Sequence, residues 1–176
     1  SVCTGMTLSG DPALVLNSFE KADYEISNAS VFFTPSGITS DLDSFEVNVV
    51  IKNLGRAVND PFAIHLIRKF PDGGTDYEKD TLVAYIPYKD TVSIRLPVET
   101  VRGVGVNNFD VLVDYFSTID ECNETNNIAI NVPLQIQSSD IVPVYPAEFS
   151  IVPGNSIQLK ASTVSPFIPM KPYSFQ

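Results

Sequence analysis

The sequence predicts an all-β chain: an antiparallel β-sandwich of about seven strands, with extra N- and C-terminal segments. Three observations predict it. Apolar and polar residues alternate with a period of two over a series of short runs, the pattern of strands with one buried face. Gly, Pro, Asn and Asp punctuate the intervals between those runs. No window sustains apolar residues at the three- and four-residue spacing of a helix. Two packed sheets are the economical way to bury so many half-apolar strands.

The elements follow in order. Tyr24 to Phe33 reads as the first strand, closed by Thr34-Pro35-Ser36-Gly37. Phe45, Val47, Val49 and Ile51 alternate with polar neighbours in the second, which ends at Asn53-Leu54-Gly55. Phe62, Ile64 and Leu66 form the third, before Pro71-Asp72-Gly73-Gly74, and Leu82 to Ile86 a shorter fourth. Val92, Ile94 and Leu96 mark the fifth, ended by Pro97. The most informative stretch is the last. Phe109, Val111, Val113 and Tyr115 alternate into a polar turn, Asp120 to Asn127, after which Ile128, Ile130 and Val132 resume the inward face. Two alternating runs about an Asn-rich turn predict a hairpin, because Asn and Asp bond their own backbone and tolerate left-handed conformations. The sandwich is expected over residues 23–136.

The flanks read differently. Residues 1–22 hold one short candidate strand, Leu14 to Leu16, after a Gly10-Asp11-Pro12 turn. In residues 137–176 prolines 143, 146, 153, 166, 169 and 172 crowd around an alternating run from Ser156 to Ala161. One or two strands cannot bury a face alone. We therefore expect 1–22 to be the tail of a preceding domain or linker, and 137–176 a Pro-rich linker and the start of a further β domain.

Composition narrows the function classes. A chain of 176 residues can bury about two-thirds of its unfolded surface. A net charge of −10 argues against nucleic acid and against an anionic membrane surface, both of which need clustered Lys and Arg. No run approaches the roughly 20 apolar residues of a membrane span. The chain opens at Ser1 without a signal-peptide pattern, which reads as a processed product or, more simply, an excised piece. Cys3 and Cys122 are far apart in sequence; spacing leaves a disulfide open, and two unpaired thiols are the simpler reading. Without a C-x-x-C pair and with one histidine, zinc and redox motifs are absent.

Two stretches resemble known families. Ile51-Lys52-Asn53-Leu54-Gly55, followed by the Asp114 strand and Glu121-Cys122-Asn123-Glu124-Thr125-Asn126-Asn127, resembles the CARDB family of extracellular modules over about residues 23–134. That resemblance implies an immunoglobulin-like or fibronectin-III-like fold and a loose association with cell adhesion. Met6 to Asn17, MTLSGDPALVLN, resembles the end of the caspase-like domain of gingipain-type cysteine peptidases. Ile141 to Thr163 is similar to linker and Ig-like segments of large Bacteroidetes surface proteins. The flank resemblance implies a long secreted polypeptide with a peptidase upstream. That family's catalytic residues precede the GDPA segment, so none maps onto this chain, and Cys3 lies too close to it to be the nucleophile.

Candidate chemistry is sparse. His65 stands between Ile64 and Leu66 on the opposite strand face, as a surface or edge-strand histidine would; a general base or metal site there would need partners that its neighbours do not offer. Asp114, Asp120, Glu121, Glu124 and Asn126 concentrate the oxygen donors that calcium takes, so calcium is the candidate cofactor, as a clamp relieving carboxylate repulsion. Their spacing departs from an EF-hand, and the competing reading has Asn123, Asn126 and Asn127 satisfying turn amides beside solvated acids. Asn28-Ala29-Ser30 and Asn123-Glu124-Thr125 fit the short glycosylation pattern. Gly73-Gly74 and Gly103-x-Gly105 are loop glycines without the strand-to-helix context of a nucleotide site. Tyr77, Tyr85 and Tyr88 are either edge cover or a platform for sugar or protein.

The expectation is a non-catalytic module of a large secreted or cell-surface bacterial protein: a spacer, adhesion or protein-interaction element, accessory to the peptidase that the flank implies. Its partners are the neighbouring domains of the same polypeptide, and it acts as a monomer. A carbohydrate- or protein-binding domain, calcium-stabilised, is the alternative.

Overall fold

The computed structural model describes residues 19–147, 149–152, 154 and 156–164. The strand expected at Leu14 to Leu16, and Cys3, lie outside the described residues. Two sheets face each other across an apolar core, in the architecture of an immunoglobulin-like sandwich. In the first sheet, β4 (Ser44–Asn53) is central. It pairs antiparallel with β7 (Lys89–Pro97) along its whole length, from Ser44 opposite Pro97 to Lys52 opposite Lys89. On its other side it pairs with β1 (Tyr24–Glu25) and β2 (Val31–Thr34). The second sheet runs β3 (Ile38–Thr39), β9 (Ile128–Gln137), β8 (Gly105–Val113), β5 (Phe62–Lys69), β6 (Tyr77–Val83). All its pairs are antiparallel except β3 with β9. The leading chain thus serves both sheets, β2 in one and β3 in the other.

The inward faces are those the alternation predicts for β4, β5 and β8. Phe45, Val47, Val49 and Ile51 meet Phe62, Ile64, Leu66, Phe109, Val111 and Val113, all essentially without exposed surface. Aromatic rings interlock at both ends of this core. Tyr24 packs on Phe62 with centroids 4.6 Å apart, and Phe33, Phe45 and Phe109 form a cluster, the last two edge to face at 6.1 Å. Such rings combine large apolar burial with favoured offset or edge contacts.

Three elements differ from the sequence reading, each for a local reason. The first strand is interrupted: a 3-10 turn, Asn28–Ser30, separates β1 from β2. Asn28 donates from Nδ2 to Ile130 O (2.9 Å) and accepts from Ile130 N–H (3.0 Å), so its side chain takes the place of a ladder rung. The fourth strand lies at Tyr77–Val83 rather than Leu82 to Ile86. It is the sheet edge, and the charges that keep an edge from pairing with another chain, Glu78, Lys79 and Asp80, also hide its period. In β9, Ile128 and Ile130 face outward, and Ala129 and Val132 fill the core. A bulge causes this: Phe109 pairs with Val132 but Val111 with Ala129, and the extra residue, Asn131, takes φ 56°. Its N–H is held by Asp110 Oδ1 at 2.8 Å. One added residue reverses which face every preceding side chain occupies.

Beyond the sandwich, β10 (Ile141–Tyr145) and β11 (Lys160–Thr163) form a separate two-stranded sheet. The strand expected over Ser156 to Ala161 begins only at Lys160. Val142, Val144 and Leu159 are about half exposed there.

Candidate functional site

The chain enters the sandwich at the end where β4 turns into β5 and β8 into β9. Both motifs singled out in the sequence converge on it. Ala22, fully buried, makes a parallel bridge with Glu121. On one side Leu54 N–H donates to Asp23 O (2.8 Å) and Arg56 N–H to Lys21 O (2.7 Å). On the other, Cys122 N–H donates to Ala22 O (2.8 Å) and Ile26 N–H to Asn126 O (3.0 Å). The entering backbone is therefore clamped between two loops.

Asn53 is the hinge pin of one loop. Buried at the end of β4, its Oδ1 accepts from the N–H of Asp23 (3.1 Å) and of Gly55 (3.0 Å). Its Nδ2 donates to Arg56 O (3.1 Å) and Ile86 O (3.4 Å). An aspartate could not supply the two donors, nor a leucine any of the four bonds. Gly55 is needed for space: a Cβ there would lie 2.4 Å from Lys21 O, a backbone atom. Gly55→Ala is expected to displace residues 21–23 and lower stability by about 1–2 kcal/mol. Hydrogen exchange should read the change at the Arg56 and Cys122 amides, leaving β5 and β8 protected.

The opposite loop carries the five oxygen-bearing residues considered for calcium, and the structure gives them different partners. Asp114, buried at φ 50°, accepts from Thr118 N–H and Oγ1 through Oδ1 (3.0 and 2.6 Å) and from Ile119 N–H through Oδ2 (2.8 Å). Asp120 is exposed and pairs with Lys21 at 2.6 Å. Glu121 turns inward and accepts from Tyr24 N–H through Oε2. Glu124 Oε1 accepts from Glu121 N–H (2.9 Å), and Asn126 donates to Asp23 Oδ1 (2.9 Å). Among the described residues no group of three or more His, Cys, Asp or Glu side chains is placed to hold a metal ion. Three of the four carboxylates, those of Asp114, Glu121 and Glu124, close on backbone amides. Burial pushes the Glu121 carboxyl up to about 7, against the opposing pull of the Tyr24 N–H.

His65 corrects the sequence reading: it is neither on an edge strand nor exposed. β5 lies between β6 and β8, and the ring is covered by Tyr115, stacked at 4.2 Å between centroids, with Asp80 Oδ1 2.6 Å from Nδ1. Tyr77 packs partly against the core, whereas Tyr85 and Tyr88 stand exposed beside the entry end. Cys122 is a free exposed thiol 3.7 Å from Lys21 O. Asn123 Oδ1 closes a local turn on the N–H and hydroxyl of Thr125. Gly103 and the buried Arg68, which nothing in the alternation flagged, belong to the opposite end of the module. There Arg68 donates to Pro97 O (2.6 Å), Val98 O (2.8 Å) and Asn107 Oδ1 (3.0 Å).

No family model matches this chain, and no curated protein matches it. Among solved structures, the chain is similar to the CARDB domain of the PF1109 protein from Pyrococcus furiosus, in a crystal structure of that domain in complex with di-metal ions. The identity is 22%, the TM-score 0.49, and the likeness covers 73% of this chain and 99% of that one. The solution structure of the same domain gives 20% identity and a TM-score of 0.46 over 68% of this chain and 97% of that one. Beta-glucosidase 3B from Thermotoga neapolitana, in complex with alpha-D-glucose, is similar at 16% identity and a TM-score of 0.34, over 66% of this chain and 16% of that one. None of the three is a gingipain-type peptidase, and the stretch with that resemblance, Met6 to Asn17, lies outside the described residues.

Proposed function

We propose that residues 23–136 are a non-catalytic spacer module of a larger secreted or cell-surface polypeptide, fixing the separation and orientation of its neighbours. One observation carries this reading: the chain enters at one end of the sandwich and leaves at the other. Tyr24 opposes Asn53, at the end of β4. Gln137 closes β9 opposite Thr39, and Ser40 N–H donates to Gln137 O (2.8 Å) at the far end. A ten-residue strand such as β9 sets this separation at about 30–35 Å. The clamp on residues 21–26 makes the entry stiff, as a spacer needs. Among the described residues no helix is long and apolar enough to cross a membrane.

On this reading the stretch ahead of Lys21 belongs to the domain upstream, the gingipain-type peptidase that its sequence resembles, while Lys21 and Ala22 are held in the sandwich clamp, and 137–176 open the next β domain. The half-exposed apolar side chains of Val142 and Val144 in β10 and of Leu159 just ahead of β11 support the second assignment, because two strands alone leave such a face uncovered. Excising 23–136 from the native polypeptide should shorten its maximum dimension in small-angle scattering by about 30 Å. Unchanged length would sink the spacer reading.

A further inference from the structure

The outward face of an antiparallel sheet is ordinarily polar. On the sheet containing β5, β8 and β9 an apolar strip crosses it beside the charged pairs His65–Asp80 and Lys69–Asp110. Leu82 lies opposite Ala63, Leu112 lies opposite both His65 and Ile128, and Ile130 borders the bulge at Asp110. Tyr115 folds back over His65, and Phe116 meets it nearly edge-on at 5.1 Å. Leu82, Tyr115, Phe116 and Ile130 all remain well exposed.

Toward the entry end this face opens into a cleft of about 420 Å³, lined by Leu112, Asp114, Tyr115, Glu124, Asn127 and Ile128 among others. Positive φ angles of 50° at Asp114 and Ser117 shape its mouth. Its polar lining is acceptor-rich, and the cation whose charge Glu124 feels, Lys21, is bonded to Asp120. Glu124 uses one carboxylate oxygen on the Glu121 amide, leaving the other free of hydrogen bonds among the described residues. Asn127 is only 6% exposed; its Nδ2 turns away to Glu121 Oε1 at 3.4 Å, and among the described residues no hydrogen bond reaches its Oδ1. No Lys, Arg or His lines the cleft. Nearby cations are committed elsewhere, Lys21 to Asp120 and Lys69 to Asp110, each at 2.6 Å.

An aromatic wall, aliphatic flanks and unmatched acceptors suit a cation carried on an apolar stem. We infer that this cleft binds a lysine or arginine side chain presented by a partner protein. The Tyr115 ring attracts the cation through its face, the Glu124 carboxylate pairs with it, and Asn127 Oδ1 accepts one of its N–H donors. Leu112 and Ile128 cover the methylene stem. The partner is a protein rather than a free amine because apolar surface continues beyond the cleft over Phe116, Ile130 and Leu82, which a small amine leaves in water. The chain's net charge of −10 steers a basic partner toward it.

The test titrates the intact 15N-labelled chain with the peptide acetyl-Leu-Val-Arg-Val-Leu-amide, and with the same peptide carrying citrulline, which keeps the shape and loses the charge. The expected result is saturable amide shifts centred on Leu112, Tyr115, Glu124, Asn127 and Ile128, weakening with added salt. Citrulline should weaken binding tenfold or more, as should Glu124→Gln and Tyr115→Leu. Should Glu124→Gln disturb the hairpin, Tyr115→Leu, an exposed site, decides. Equal response to the citrulline peptide, shifts that map away from the cleft, or a cleft that answers to calcium chloride or glucose but not to the arginine peptide, would overturn the inference.

Discussion

Between pH 4.5 and pH 8 the thermal stability of this chain is expected to fall, while that of Glu121→Gln stays nearly level. The cause is the carboxyl at the centre of the entry clamp. Burial raises it to about 7 from the 4.5 of the free side chain; the neighbouring Glu124 and Asp114 carboxylates push the same way, against the Tyr24 and Asn127 donors. Between those values the folded state binds a proton that the unfolded chain has released. Stability therefore declines with rising pH: the contribution is full below about 4.5 and is lost as pH rises through about 7. The full shift corresponds to about 3.5 kcal/mol, at about 1.4 kcal/mol per pKa unit, which solvent screening brings down to roughly 2–3 kcal/mol. For a sandwich of this size that amounts to roughly 8–15 °C in Tm. Glutamine still accepts from Tyr24 N–H but carries no proton to lose, so the difference between the two proteins isolates Glu121. Calorimetry across the pH range decides it. Parallel Tm profiles for the two would mean that the buried carboxyl ionises without cost.

The same residues show how far the sequence could be read. Strands with one dry face keep their period, so β4, β5, β7 and β8 were legible from their alternation. What was hidden depends on single side chains meeting distant backbone. Asn28 breaks the first strand by bonding Ile130, 102 positions away, and no local pattern carries that information. Asn131 reverses the inward face of β9 by one inserted residue, while Ile128 and Ile130 still alternate faultlessly in sequence. The site was half legible. Asn53, Gly55 and Glu121 to Asn127 stood out as turn chemistry, but that both turns grip residues 21–26 follows from the topology, which brings Ala22 beside Glu121. Of the four acids in that turn, Asp114, Glu121 and Glu124 accept from backbone N–H groups and Asp120 pairs with Lys21, partners that no local pattern announces.

Arg68→Met is expected to cost about 3–5 kcal/mol, the largest single-residue effect at the exit end. The period of β5 runs Phe62, Ile64, Leu66 and then Arg68 on the same inward face, where a charge reads as a strand end. Arg68 is instead 1% exposed, and burial brings its guanidinium down to about 10. It is held by carbonyls rather than a carboxylate: Pro97 O, Val98 O and Asn107 Oδ1, with the ring of Phe70 4.5 Å from its centre. Asn107 is in turn fixed by donating to Gly103 O (2.7 Å) and Gly105 O (3.2 Å). A buried ion pair can be exchanged for apolar residues when both partners go together. Here two of the three partners, Pro97 O and Val98 O, are main chain and cannot be removed, so methionine leaves both acceptors without their donors, at about 1–3 kcal/mol each. Lysine keeps the charge but lacks the planar fork that reaches Pro97 O and Val98 O at once, and should recover less than half of the loss. Hydrogen exchange should open at Val98 and Gly103 in Arg68→Met while Tyr24 and Cys122, at the entry clamp, stay protected. A loss under 1 kcal/mol by denaturant titration would mean that the β7–β8 connection rests on the apolar core alone, with the guanidinium a passenger in it.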